Sequence, residues 1–283
     1  MDQQNKEYSK TSLGKPFAIG RSADLFALPE NQILKLFFPE AKESEIDLEV
    51  KNTIEANQQG ATKMRCYGKA KVENRFGIVI DRLNGISLTK LPDKNPLELF
   101  RIAGKLAKLH YGIHQLKSDK FQDIKEILNH CLESAPLSFL SATEKEKAKS
   151  YIATLPNGNS ILHLDFHPEN VIVEGKDEII IDWMTAAKGS PAADVAFTYL
   201  LFTDGELWPG TPKLKIIFYT IIRKFILGGY LKSYKKLSGM MDAEISAWRL
   251  PSLILRMGLW DIASEREGLR AQTIRLLANG GKV

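Results

Sequence analysis

The chain has 283 residues, 44% hydrophobic and 26% charged, a globular balance that excludes wholesale disorder and fibrous repeats. Its 39 Lys+Arg against 34 Asp+Glu leave a net charge of +5, and no run of five or more basic residues marks a nucleic-acid footprint. Two cysteines, Cys66 and Cys131, are too few for a disulfide framework and fit a reducing compartment.

At ~100–200 residues per domain, the length suggests one large domain or two unequal ones. Met1 to Lys10 is polar and lacks the apolar core of a secretory signal, so a cytoplasmic location is expected. Short strands over Phe17–Gly20 and Leu25–Leu28 flank the polar turn Arg21-Ser22-Ala23-Asp24. Gln32 to Phe38 is an apolar run interrupted by Lys35 and closed by Pro39, which predicts a strand. Ser44 to Asn57 predicts a helix, because Ile46, Val50 and Ile54 recur every four residues and acids crowd the first turn. Gly60 stops it, and two strands follow, Arg65–Lys71 and Phe76–Leu83, around the turn Glu73-Asn74-Arg75.

After Asn84-Gly85 the pattern turns helical. Pro96 to His110 carries Leu99, Ile102, Ala103, Leu106 and Leu109 on one stripe, and Asp119–His130 and Thr143–Leu155 are further helices. A strand-rich island spans Ile161 to Trp183, and the chain is helical again from Ala192. Leu214 to Leu231 is the most apolar stretch. Arg223, Lys224 and the Gly228-Gly229 pair break it short of a ~20-residue bilayer span, so a buried helix and no membrane partner are expected. The fold class expected is α+β: a small β-rich lobe over residues 1–83 with one helix, then a larger, mostly helical lobe over 84–283 holding one hairpin.

The strand-rich island carries the most chemistry. Val171-Ile172-Val173 and Ile179-Ile180-Ile181 surround a turn containing Gly175, which predicts a β-hairpin. An antiparallel hairpin returns to the level where it began, so Asn170 and Asp182 should share one end, with Asp165 five residues upstream on the entering loop. Two carboxylates and an amide suit Mg²⁺, which takes one or two carboxylates and leaves positions for substrate phosphates. The plainer alternative is that Asp165 and Asn170 cap turns and Asp182 ends a strand. His163 and His167 are spaced as zinc ligands on a helix would be, but Pro168 and the hairpin argue against a helix; a structural role in the loop is the better reading.

Lys35 is the second signal. A lysine inside an apolar strand is costly to bury unless paired, and the next helix offers Glu45 and Glu49. Glu49 lies beside the apolar stripe and can point inward; a buried Lys–Glu pair that aims a lysine at phosphates is a known nucleotide-binding arrangement. The alternative is a lysine whose stem packs while its head reaches water. The turn from Gly20 through Ser22 to Asp24 offers backbone N–H groups to phosphates, but with one glycine it reads equally as an ordinary hairpin turn.

Taken together, His163-Leu-Asp165-Phe-His167-Pro-Glu-Asn170, then Ile180-Ile181-Asp182-Trp183, then Gly189-Ser-Pro191-Ala-Ala-Asp194-Val-Ala, resemble the aminoglycoside phosphotransferase and choline kinase superfamily of small-molecule kinases with a protein-kinase-like fold. The resemblance covers roughly residues 14 to 205. It implies ATP and Mg²⁺ as co-substrate and cofactor, and a small hydroxylated metabolite or antibiotic as acceptor. Asp165 would orient and deprotonate the acceptor hydroxyl, and Asn170 and Asp182 would hold Mg²⁺. Lys35, positioned by Glu49, would contact the α- and β-phosphates. Backbone groups near Arg82 and Leu83 would bind adenine, and Asp194, with His163, would support the catalytic loop. Leu164 stands where family members often have glycine, and the phosphate turn is glycine-poor.

A protein kinase is the less favoured reading, because Trp183-Met184 follows the metal aspartate instead of Phe-Gly. A non-catalytic nucleotide-binding module on the same fold is the other alternative. The segment from Ala192 to Val283 holds eight acids against thirteen bases, the wrong balance for a polycationic aminoglycoside. Tyr199, Phe202, Trp208, Trp248 and Trp260 could line an acceptor pocket, but core of a helical lobe is the favoured reading for any one of them.

Overall fold

The computed structural model describes residues 6–20, 22–206 and 212–281; Arg21 of the phosphate turn and Trp208 of the candidate aromatics lie outside them. In chain order the elements are β1 (Lys6–Glu7), α1 (Lys10–Leu13), β2 (Ala18–Ile19), β3 (Ala23–Leu28), β4 (Gln32–Phe37), α2 (Glu43–Gln58), β5 (Cys66–Val72), β6 (Arg75–Asp81) and β7 (Ile86–Ser87). Then come α3 (Leu91–Lys94), α4 (Leu99–His114), α5 (Ile124–Leu132), α6 (Ala142–Thr154), β8 (Ser160–Leu162), β9 (Val171–Glu174), β10 (Asp177–Ile180) and β11 (Ala187–Gly189). The helices α7 (Pro191–Thr203), α8 (Lys213–Ser238), α9 (Asp242–Ala247), α10 (Arg249–Trp260) and α11 (Ala263–Ala278) complete the chain.

The molecule divides into two compact units, Met1–Lys90 with Glu169–Thr185, and Leu91–Pro168 with Ala186–Val283. The sequence pattern puts the division after residue 83 and the hairpin in the second part. Here the first unit runs to Lys90, and the hairpin clusters with it.

The first unit is built on a six-stranded sheet of order β1-β5-β6-β4-β3-β2. All its pairings are antiparallel except β1 with β5. β4 and β6 lie in the middle, which is why both read as almost unbroken apolar runs. One sheet face packs Leu34, Leu36, Phe26, Ala70, Val72 and Val79 around Leu13 of α1. α2 packs against β5 and β6, and buries Ile46, Val50 and Ala56. The hairpin β9–β10 forms a separate sheet with β7, where Ile86 and Ser87 pair with Val173 and Ile172.

The second unit is mostly helical, with one small sheet in which β11 pairs with β8. α8 packs along α4, and α10 packs against α5, α7 and α11. Phe202 and Trp248 are buried, and the rings of Phe197 and Trp260 stack at 5.5 Å. Tyr199 is partly exposed beneath the Arg249 guanidinium, 5.6 Å from its ring. α8 departs from expectation. Its C-terminal half buries Ile226, Leu227, Tyr230 and Tyr234, but Leu214, Ile217, Phe218, Ile221 and Phe225 are exposed. Among the described residues no helix is long and apolar enough to cross a membrane.

Candidate active site

In the first unit, Lys35 is the one position of β4 that escapes full burial. Strand alternation puts it on the sheet face opposite Leu34 and Leu36, with Ile33 and Phe37. The Phe37 ring centroid lies 5.1 Å from the ammonium. A Cβ added at Gly77, opposite Leu36 on β6, would meet the Lys35 carbonyl oxygen at 2.6 Å, so a glycine there is what lets the two strands close beside this lysine.

Lys35 Nζ donates to Glu49 Oε1 at 2.7 Å and to Asp182 Oδ1 at 3.4 Å. The side chains of Glu49, Lys35 and Asp182 are 2%, 14% and 41% exposed, a gradient from interior to solvent. Burial pushes the Lys35 ammonium down, but the Asp182 and Glu49 carboxylates outweigh it and hold the lysine above its ordinary value, charged at any working pH. Burial pushes the Glu49 carboxyl up; Lys35 opposes that and Asp182 reinforces it. Glu49 Oε2 is buried without a hydrogen-bond partner among the described residues, which fits a carboxylate held for its other oxygen. Of the two acids weighed from the sequence, Glu49 is the one on Lys35.

The hairpin forms as its pattern predicts. Val171 pairs with Ile180, and the Ile181 N–H donates to the Asn170 carbonyl at 2.9 Å, so Asn170 and Asp182 emerge at the same end. Asp182 has φ +66, in the left-handed region that aspartate tolerates better than most residues. The segment is pinned on each side of it. Thr62 Oγ1 donates to the Ile180 carbonyl at 2.6 Å, and Asn52 Nδ2 of α2 donates to the Met184 carbonyl at 3.1 Å. The Trp183 indole is fully buried and returns its N–H to the Ile180 carbonyl at 3.1 Å. Thus α2 holds Lys35 through Glu49 and the aspartate segment through Asn52. Two hard oxygen-bearing side chains at one hairpin end, one of them partly exposed, fit Mg²⁺.

At the turn between β2 and β3, the Gly20 N–H donates to the Ala23 carbonyl at 2.8 Å, and the Ser22 carbonyl accepts from the Phe38 N–H at 2.9 Å. At the end of β6, the Arg82 N–H donates to the Asn31 carbonyl at 2.8 Å, and the Arg82 carbonyl accepts from Asn31 Nδ2 at 3.2 Å. Both backbone groups of Arg82 therefore face Asn31, and Leu83 follows, half-buried.

In the second unit, the loop from His163 to Pro168 rests on α7. Asp194 is fully buried; its Oδ2 accepts from the His163 N–H at 2.5 Å and its Oδ1 from the Leu164 N–H at 2.9 Å. Leu164 has φ +57, the conformation that explains glycine at this position in the resembling family. His163 is buried and its Nδ1 accepts from the Asp165 N–H at 3.2 Å, while Thr198 Oγ1 donates to the Phe166 carbonyl at 3.1 Å. Asp165 remains partly exposed, its Oδ2 3.6 Å from His167 Nε2.

Beneath Asp194 lies a cluster the sequence reading missed. His114 Nε2 donates to Asp194 Oδ2 at 3.2 Å, and His110 Nε2 approaches the same oxygen at 3.0 Å. Tyr230 Oη lies 2.6 Å from His110 Nδ1 and Tyr234 Oη 2.5 Å from His114 Nδ1. Asp194, a carboxylate, can only accept, so the His114 Nε2 that faces it carries a proton, and burial raises both tyrosine hydroxyls above their ordinary value. Burial pushes His110 down to about 4, against the pull of Asp194. Burial alone would raise Asp194, but the two histidines hold it well below the ordinary carboxylate range. The sequence signal was available: His110 and His114 lie four apart on α4, as Tyr230 and Tyr234 do on α8.

The chain matches the family model of the phosphotransferase enzyme family over residues 14–211. It belongs to that family. The comparison with curated protein sequences found no match. Among solved structures, a ternary complex of a thermostable aminoglycoside phosphotransferase APH(4)-Ia mutant with AMP-PNP and hygromycin B is similar, with a TM-score of 0.63, 13% identity, and coverage of 95% of this chain and 94% of that one. ADP-bound aminoglycoside phosphotransferase APH(2'')-Ib gives 0.52, 15%, and 95% and 94%. A choline/ethanolamine kinase family protein from Mesorhizobium loti gives 0.51, 15%, and 95% and 86%. At these identities the likeness is one of fold: a β-rich N-terminal part and a helical C-terminal part of protein-kinase-like type.

Proposed function

We propose that this phosphotransferase family member moves the γ-phosphate of ATP to a hydroxyl of a small molecule, with Mg²⁺ as cofactor. The observation that carries this reading is the Lys35 ammonium, shared between buried Glu49 and the half-exposed Asp182. A permanently charged lysine beside a metal-competent carboxylate is the electrostatic apparatus that phosphoryl transfer requires, since the reaction asks a protein for positioning and charge stabilisation more than for covalent chemistry.

In this reading Lys35 binds the α- and β-phosphates and Glu49 keeps it aimed. Asn170 and Asp182 hold Mg²⁺, which supplies charge neutralisation on the phosphates. The connector after Asp81 receives adenine, through the backbone of Leu83 in preference to that of Arg82, which Asn31 already occupies. The Gly20–Ser22 turn covers phosphate oxygens. Asp165 accepts the proton of the acceptor hydroxyl, and His163 and Asp194 fix the loop that presents it.

The test is ADP formation across a panel of amino alcohols, sugars, nucleosides and antibiotics. Wild-type protein should turn over at least one of them, and Asp165→Ala should lose ~10²–10⁴-fold in rate while keeping its fold. Full activity in that variant would remove Asp165 from the mechanism. Nucleotide binding without turnover of any acceptor would favour the non-catalytic module instead.

A further inference from the structure

α8 carries two apolar faces. One packs into its own unit through Ile226, Leu227, Tyr230 and Tyr234. The other is a solvent-facing stripe of Leu214, Ile217, Phe218, Ile221 and Phe225, each 49 to 81% exposed. The offsets within the stripe, 3, 4, 7 and 11 residues from Leu214, place all five on one side of the helix. The patch continues onto α4, where the exposed Phe100 meets Phe225 edge-on at 5.7 Å, and Leu97 is exposed one turn earlier. Together these seven side chains expose on the order of 800 Å² of mostly apolar surface, more than the largest patch of a typical monomer.

We propose that this face of α8 is a symmetric interface with a second copy of the same chain, the N-terminal halves of two α8 helices packing against each other across a twofold axis. Three observations select that occupant. The exposed area matches the ~800 Å² per partner of a standard protein interface. The stripe is continuous over about 18 Å of helix and contains no charged residue, as the core of an interface requires and as a self-complementary twofold contact exploits. The cations of α8 do not favour an anionic membrane. Arg223 turns inward to the carbonyls of Gly205 and Glu206, Lys235 pairs with Asp242, and Lys232 and Lys236 lie in the last turns. Of the described side chains on this helix, Lys215 and Lys224 are left to border the stripe. Two lysines give only a weak attraction to an anionic lipid surface.

The test is sedimentation velocity of the full chain over a micromolar concentration series. Wild-type protein should be a dimer, and Ile221→Asp, an exposed change that leaves the folded core untouched, should weaken association ~100-fold or more. Lys236→Asp, off the stripe, should leave it unchanged. Ile221→Cys should form a disulfide-linked dimer under mild oxidation where wild-type protein does not. Monomer throughout the series, a dimer indifferent to Ile221→Asp, or a monomer captured by phosphatidylserine vesicles would each overturn the proposal. None of these outcomes depends on the phosphotransferase reading.

Discussion

Leu164 sits at φ +57 with its side chain fully buried, so two forces oppose each other at one residue. The left-handed conformation costs a leucine ~1–2 kcal/mol, while truncating a buried leucine costs ~2–5 kcal/mol. Glycine would remove the strain and the packing together; alanine would remove the packing and keep the strain. Leu164→Gly should therefore be less stable than wild type but more stable than Leu164→Ala, the reverse of the usual order, by urea denaturation at constant m-value. An alanine variant as stable as the glycine variant would show that the backbone here relaxes. His110 gives a second residue-scale prediction. Its folded value of about 4 lies below the unfolded ~6.5, so the unfolded state binds the extra proton between them. Stability is fully present above ~6.5 and falls by about 3 kcal/mol as the pH drops toward 4. Proton NMR should show one imidazole neutral down to that range, and a His110→Asn variant should lose this part of the pH slope.

At the scale of elements, α2 is the clasp of the first unit. Its stripe of Ile46, Val50 and Ile54 was legible as a four-residue period, and so was Glu49 beside it. Asn52 was not, because a polar side chain on an amphipathic helix reads as surface until its acceptor, the Met184 carbonyl 132 residues away in sequence, is known. Asn52→Ala leaves that carbonyl without its donor and should cost ~1–3 kcal/mol by thermal denaturation. It should also raise KM for ATP, since the aspartate segment loosens. An unchanged KM would confine Asn52 to a stabilising role. β7 and β11 went unseen because two or three residues are too few for alternation to register. On α8 apolar residues surround the helix, so the period does not tell which side is buried, and the exposed stripe was read as core.

For the whole molecule, composition and motif order reached the α+β class and the family, because the catalytic-loop and hairpin segments are short, local and rich in residues with few substitutes. The acceptor was not legible. No local pattern encodes which side chains a fold brings together in three dimensions. Charge is the one constraint that survives. From Ala192 to Val283 thirteen bases face eight acids. A polycation should be a poor acceptor, and kanamycin or hygromycin B should give turnover far below that of the best neutral or anionic metabolite in an ADP-release assay. A kcat/KM for either drug equal to that of the best metabolite would refute the charge argument.

Asn31 bonds both main-chain groups of Arg82, one with its carbonyl and the other with its amide side chain. If adenine docks along this connector, the nucleobase finds one arm of the usual backbone ladder already taken by the protein itself. Drug-like heterocycles that grip such connectors with two or three parallel bonds would forfeit one here. Chemistry aimed at the Asn31 carboxamide, displacing it and inheriting its partners, offers a route to compounds that tell this enzyme from its relatives.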